Sequence, residues 1–88
     1  MLEFQSEIKN KIGVHLRAAG EFVKVANRFS SRGTVMLNGK KADGKSILGL
    51  ASMAIGKGAV ITIQVEGEDE EQAKEALCEL IENDFNEN

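Results

Sequence analysis

The 88-residue sequence has no proline, tryptophan or tyrosine, and it contains one cysteine and one histidine. With Cys78 alone, no intramolecular disulfide can form, which fits a reducing compartment. No second histidine or cysteine stands at ligand spacing, so neither a metal site nor a cofactor is expected. No apolar run approaches the roughly 20 residues needed to span a bilayer. The N-terminus, MLEFQSEIKNK, lacks a basic-then-apolar signal, so a cytoplasmic chain without membrane insertion is expected. There is no repeat, low-complexity tract or linker-like composition shift, which leaves one domain over residues 1–88.

The charge is unevenly placed. Net charge is −3, which argues against a general nucleic-acid binder. Residues 1–45 carry nine Lys/Arg against four Asp/Glu, while residues 46–88 carry two against ten. A basic first half on an acidic chain suits an anionic ligand or an acidic partner protein.

Apolar periodicity gives the elements. Leu2, Phe4, Ser6 and Ile8 alternate with polar neighbours and predict a half-buried strand. Asn10 to His15 is a connection containing Gly13. From Leu16, the positions Leu16, Ala19, Phe22, Val23, Ala26 and Phe29 form a helical stripe. Thr34 to Leu37 is β-prone, Asn38-Gly39 is a strong hairpin signal, and Lys40 to Asp43 is the return strand. Ile47 to Ile55 predicts a short helix with Ser46 as N-cap. Ala59 to Glu66 alternates as a strand. Asp69 to Gln72 resembles a capping box before a last helix whose stripe is Ala73, Ala76, Leu77, Leu80, Ile81 and Phe85. Cys78 lies beside that stripe as a structural thiol. The order β-α-β-β-α-β-α places amphipathic helices on one face of a small sheet with at least one antiparallel pair, an α+β arrangement.

Gly39 to Ser46, GKKADGKS, fits the Walker A pattern G-x-x-x-x-G-K-[ST]. A P-loop belongs to a doubly wound sheet whose crossovers each take about 30 residues, and 88 residues leave room for very few, which counts heavily against that reading. The hairpin reading also splits the two glycines between different elements. The match is accidental.

His15 stands at the expected N-terminus of the first helix, where unpaired amides and the positive dipole end favour an anion. Arg17 adds a planar fork of donors suited to phosphate oxygens. A neutral imidazole is a nucleophile near neutral pH, so the pair suits reversible phosphorylation. No G-x-S-x-G elbow supports a Ser–His hydrolase. On these residues alone, a histidine that merely caps a helix remains an alternative.

The segments IGVHLRAAGEFVKVANRF, NGKKADGKSILGL and GEDEEQAKEALCELI closely resemble HPr, the histidine-containing phosphocarrier family of the bacterial sugar phosphotransferase system. The likeness covers essentially the whole chain through G-x-H-x-R, F-V-K, N-G-K, K-S and G-x-D-E. It implies an open-faced β-sandwich, a four-stranded antiparallel sheet with three helices on one face. It also implies a carrier, not an enzyme: His15 would accept a phosphoryl group on Nδ1 from phosphorylated Enzyme I and pass it to sugar-specific enzyme II components. Arg17 would neutralise phosphate charge. Leu16, Gly20, Ile47, Leu48 and Ala51 would lie in the partner surface, and Lys24, Arg28 and Lys45 would steer acidic partners.

Ser46 matches the family's regulatory serine, the target of a dedicated HPr kinase/phosphorylase, whose product can serve a transcriptional regulator. A monomer is expected for a shuttle. Two alternatives share the fold: a nitrogen-related phosphocarrier, and a regulatory module controlled through Ser46. Regulators of the latter kind lack the histidine, which this chain retains with Arg17. The chain departs from the family at Ala18, usually proline, at Ile12, usually small and polar, at Leu16, usually smaller, and at Gly20, which weakens the helix interior. These changes bear on transfer rate and partner identity.

Overall fold

Asn38 and Gly39 both adopt positive φ, +51° and +81°, as a two-residue turn between right-twisted strands requires. They join β2 (Arg32–Leu37) to β3 (Lys40–Asp43), paired from Leu37↔Lys40 to Thr34↔Asp43. The computed structural model describes residues 1–87. Its other elements are β1 (Leu2–Glu7), α1 (Leu16–Ala26), α2 (Ile47–Ala51), β4 (Val60–Glu66) and α3 (Glu70–Glu82), with a single 3₁₀ turn at Asp84–Asn86. The sheet runs β1-β4-β2-β3 and every neighbouring pair is antiparallel. Along β4, Ile61, Ile63 and Val65 are buried while Val60 and Glu66 are exposed. The three helices cover the apolar face and the other face stays open, so the chain is an α+β open-faced sandwich in β-α-β-β-α-β-α order.

The helices differ in detail from the sequence pattern. Leu16 is 59% exposed although it is in phase with Ala19, because it is the first residue of α1 and overhangs the core. Ala18 and Val25 are buried instead. α1 stops at Ala26, so Phe29 packs on the core from a turn. α2 stops at Ala51; Met53 and Ile55 are buried from an irregular segment in which Ala54 has φ +55°. That departure has a use, because the Ile55 carbonyl accepts from Val14 N at 2.8 Å and ties this segment to the loop before α1.

Asp69 does not cap α3. Its carboxylate accepts from Ser30 N at 2.9 Å, Ser31 N at 3.0 Å and the Ser31 hydroxyl, so a tertiary tie replaces the expected capping box. Glu70 reaches back to accept from Gly67 N at 3.1 Å, and Glu70 and Glu71 supply negative charge at the positive end of α3. Phe85 is buried as expected, but beyond the helix. Asp84, Phe85 and Asn86 all lie in the left-handed region, at φ +52°, +56° and +61°, and this reversal turns the aromatic ring back into the core.

Candidate functional site

The loop between β1 and α1 is clamped from several sides. Ile8 exchanges backbone bonds with the 56–59 segment, donating to Ala59 O at 2.8 Å and accepting from Gly58 N at 2.7 Å. Gly13 closes a turn onto Asn10 O and has φ +80°. A Cβ on Gly13 would run into the Ile55 carbonyl oxygen and the Gly56 backbone, so only glycine fits. Asn10, 4% exposed, donates from Nδ2 to Gly13 O at 2.7 Å and to Glu87 Oε1 at 3.1 Å. Asn10 Oδ1 has no hydrogen-bond partner among the described residues.

This loop delivers His15 to the N-cap of α1, with extended backbone at φ −79° and ψ −178°. Its carbonyl accepts the first helical bond, from Ala19 N at 2.8 Å. Its ring does the capping: Nδ1 accepts from the Arg17 amide at 3.2 Å. A nitrogen facing an N–H carries its lone pair, so the ring proton of the neutral imidazole sits on Nε2. Nε2 lies 2.8 Å from Glu87 Oε1. The His15 side chain is 28% exposed, enough for a partner to reach Nδ1. No acidic residue occupies the first turn of α1, so nothing in that turn neutralises the positive dipole end beside Nδ1. The Arg17 side chain is exposed, and among the described residues it makes no ion pair. A nucleophilic lone pair and a helix start with no acidic residue in its first turn therefore meet at His15, and Arg17, whose amide faces Nδ1, also carries an exposed guanidinium. Three surface grooves among the described residues, of about 490, 430 and 120 Å³, are lined by residues other than His15.

The other candidate residues differ in their placement. Among the described residues, Ile12, Leu16, Ile47 and Leu48 are four of six exposed large apolar side chains, and they lie in the His15 loop and at the starts of α1 and α2, two helices that pack together. Gly20 and Ala51 are half-buried, and Lys24 and Arg28 are exposed on α1 and just after it. Lys45 is half-buried, and its ammonium donates to Phe29 O at 2.9 Å, satisfying a carbonyl just past the end of α1. Ser46 caps α2 through Oγ, which accepts from Gly49 N at 3.1 Å. The Walker-like stretch is thus a hairpin turn, a tied lysine and a helix cap, not one loop. Cys78 is half-buried, and burial pushes its thiol above the ordinary value while Lys74 opposes. Among the described residues no group of three His, Cys, Asp or Glu could hold a metal ion, and no helix is long and apolar enough to cross a membrane.

Asn10 and Glu87 are the two site residues that sequence reasoning did not find. Glu87 reads there as one more solvated charge in an acidic C-terminal half, and Asn10 as a loop residue. Their only sequence signal is the Asn-Asp-Phe-Asn run, rich in the residue types that tolerate the left-handed region.

The chain matches the family model for the PTS HPr component phosphorylation site over residues 2–83. It is 41% identical over 87 residues to the phosphocarrier protein HPr of Xylella fastidiosa, covering 99% of this chain and 98% of that one. It is 49% identical over 84 residues to the HPr-like protein Crh of Halalkalibacterium halodurans, covering 96% and 100%. The crystal structure of HPr-C-His from Thermoanaerobacter tengcongensis superposes with a TM-score of 0.94 at 45% identity, over 100% of this chain and 99% of that one. An HPr dimer from the same organism superposes at 0.78 with 46% identity, over 99% and 100%.

Proposed function

The chain belongs to the HPr family of the phosphotransferase system, and from that membership we propose that it is a phosphoryl carrier working through His15. Nδ1 takes the group from phosphorylated Enzyme I and yields it to sugar-specific enzyme II components in the cytoplasm. One observation carries this reading: the Nδ1 lone pair faces the Arg17 amide at an accessible helix start whose first turn holds no acidic residue. Phosphoryl transfer asks the protein mainly for in-line positioning and charge neutralisation. The Arg17 amide and guanidinium are the donors for the phosphate oxygens. Leu16, Ile47 and Leu48 supply an apolar rim for docking, with Gly20 and Ala51 beside it, and Lys24 and Arg28 steer acidic partners. The carrier acts as a monomer, without cofactor or metal, and residues 1–88 form one domain.

The test is incubation with Enzyme I homologues and phosphoenolpyruvate. Wild type gains the mass of one phosphate in an acid-labile linkage, and His15→Ala gains none. Failure of every Enzyme I type to label the wild-type protein would defeat the carrier reading. Running a sugar-pathway and a nitrogen-related Enzyme I side by side decides between those two pathways by rate.

A regulatory role through Ser46 is the second reading, favoured by the likeness to an HPr-like Crh protein and by the hydroxyl at the α2 N-terminus. A phosphoserine there brings nearly two negative charges, tolerated at a helix start and repulsive to an acidic partner. Incubation with HPr kinase/phosphorylase and ATP tests it. Stoichiometric labelling at Ser46, with no acid-labile phosphate from any Enzyme I, would make regulation the primary role.

A further inference from the structure

The geometry points to Glu87 as a positioning residue that keeps a proton on Nε2 of His15 through both halves of phosphoryl transfer, an inference that rests on the carrier reading. Glu87 lies outside residues 2–83, the span the family model matches. Three left-handed residues reverse the chain, Phe85 anchors the reversal in the core, and Glu87 arrives with its side chain 21% exposed. Oε1 takes two donors, His15 Nε2–H at 2.8 Å and Asn10 Nδ2 at 3.1 Å. Asn10 is itself buried and tied to Gly13 O, so the carboxylate is held from a fixed point rather than resting on the ring by chance.

When Nδ1 attacks, its lone pair forms the N–P bond, and the donor's bond to phosphorus breaks with its pair returning to the donor. The ring becomes a cation that still carries its Nε2 proton, and Glu87 balances that charge. On onward transfer the acceptor's lone pair bonds to phosphorus and the N–P pair returns to Nδ1. Neutral imidazole then leaves. Without the Nε2 proton the leaving group would be imidazolate, a far stronger base. No proton moves in either direction. The segments packed around the ring carry Arg17, Glu21 and Lys24 on α1, Lys9 and Lys11 in its loop, Lys57 in the 56–59 segment, and Asp84 and Glu87 in the C-terminal segment, while α2 carries no charge. Among the described residues only Glu87 makes an ion pair with the ring.

The test compares wild type with Glu87→Gln and Glu87→Ala, using phosphoramidate as a small phosphoryl donor so that no partner protein is needed. In the unphosphorylated ¹⁵N-labelled chains, wild type and Glu87→Gln retain a slowly exchanging Nε2–H signal and Glu87→Ala loses it. In the phosphorylated chains, the alkaline limb of the hydrolysis profile moves to lower pH for both variants. At about pH 8 their N–P bonds break about three- to tenfold more slowly than in wild type, the effect of removing one half-exposed opposite charge. In acid the three rates converge, because solvent protonates every ring. A wild-type Nε2–H that exchanges as freely as in Glu87→Ala, or one hydrolysis profile shared by all three proteins, overturns the proposal. Labelling of wild type by Enzyme I tests the carrier reading separately, so failure of one is told apart from failure of the other.

Discussion

Replacing Phe85 by alanine tests whether the C-terminal reversal is part of the core or an ornament on it. Phe85 is 2% exposed, belongs to the core cluster, and sits in the turn that contacts α1 and α3. A buried phenylalanine removes about 150–250 Å² from water. At about 25 cal/mol/Å² this gives an upper bound of about 4–6 kcal/mol. Truncations of this kind cost about 3–5 kcal/mol when the site cannot collapse. Here the segment is at a chain end and its left-handed residues disfavour the folded conformation by about 1–2 kcal/mol each, so relaxation is easy and the low end applies, about 3 kcal/mol. An 88-residue domain has about 4–13 kcal/mol in total, so the variant remains folded. In urea, with a slope of about 1.2 kcal/mol/M, the midpoint falls by about 2.5 M. Phe85→Leu, which keeps most of the apolar volume, loses less than about 1.5 kcal/mol. Phe85→Ala should also free Glu87 and abolish the protected Nε2–H signal, whereas Phe85→Leu retains it. A midpoint shift below about 0.5 M for Phe85→Ala would refute the claim that this turn is built into the core.

Gly13→Ala combines a left-handed backbone with a collision against the Ile55 carbonyl, so it should cost about 2–4 kcal/mol and broaden the His15 resonances; an unchanged melting curve would contradict the clamp. Ser46→Ala removes the α2 cap and should lower stability by about 1 kcal/mol, while Ser46→Asp stays near wild type because a carboxylate caps the same amide; chemical denaturation reads both. The Ser31 hydroxyl, then the Ser30 amide, hold the Asp69 carboxyl below its ordinary 3.8 against the opposing effect of burial. A carboxylate depressed in the folded state adds stability that is complete above the unfolded value and disappears as pH falls through the folded value. The stability gap between wild type and Asp69→Asn should therefore be constant from neutral pH to about 5 and close below 3.8. A gap that widens in acid would reverse the sign.

Local rules served well wherever one pattern had one physical outcome. Asn38-Gly39 has both residues at positive φ, β4 alternates as its β-branched run implies, and Ser46 caps the helix it precedes. The sequence pattern faltered where tertiary partners compete. Asp69 has the right neighbours for a capping box, yet two serines from the α1–β2 connection hold its carboxylate. Leu16 has the right phase for burial, but a helix's first residue has no core beneath it. Met53 and Ile55 are apolar enough to extend α2, yet the Ile55 carbonyl is needed by Val14. At the site, His15 and its helix start were legible from one residue and its context. Glu87 was not, because it lies 72 residues from the ring it touches and reaches it only through the reversal at Asp84–Asn86.

His15 is both the stopper on its own helix and the atom with the available electron pair. Anything that bonds to Nδ1 evicts that nitrogen from the Arg17 amide, which must find a new acceptor at once. An anionic group with several oxygens brings that acceptor with it. For such a group, loading the ring and re-plugging the helix would be one event, leaving no amide stranded and no segment unwound.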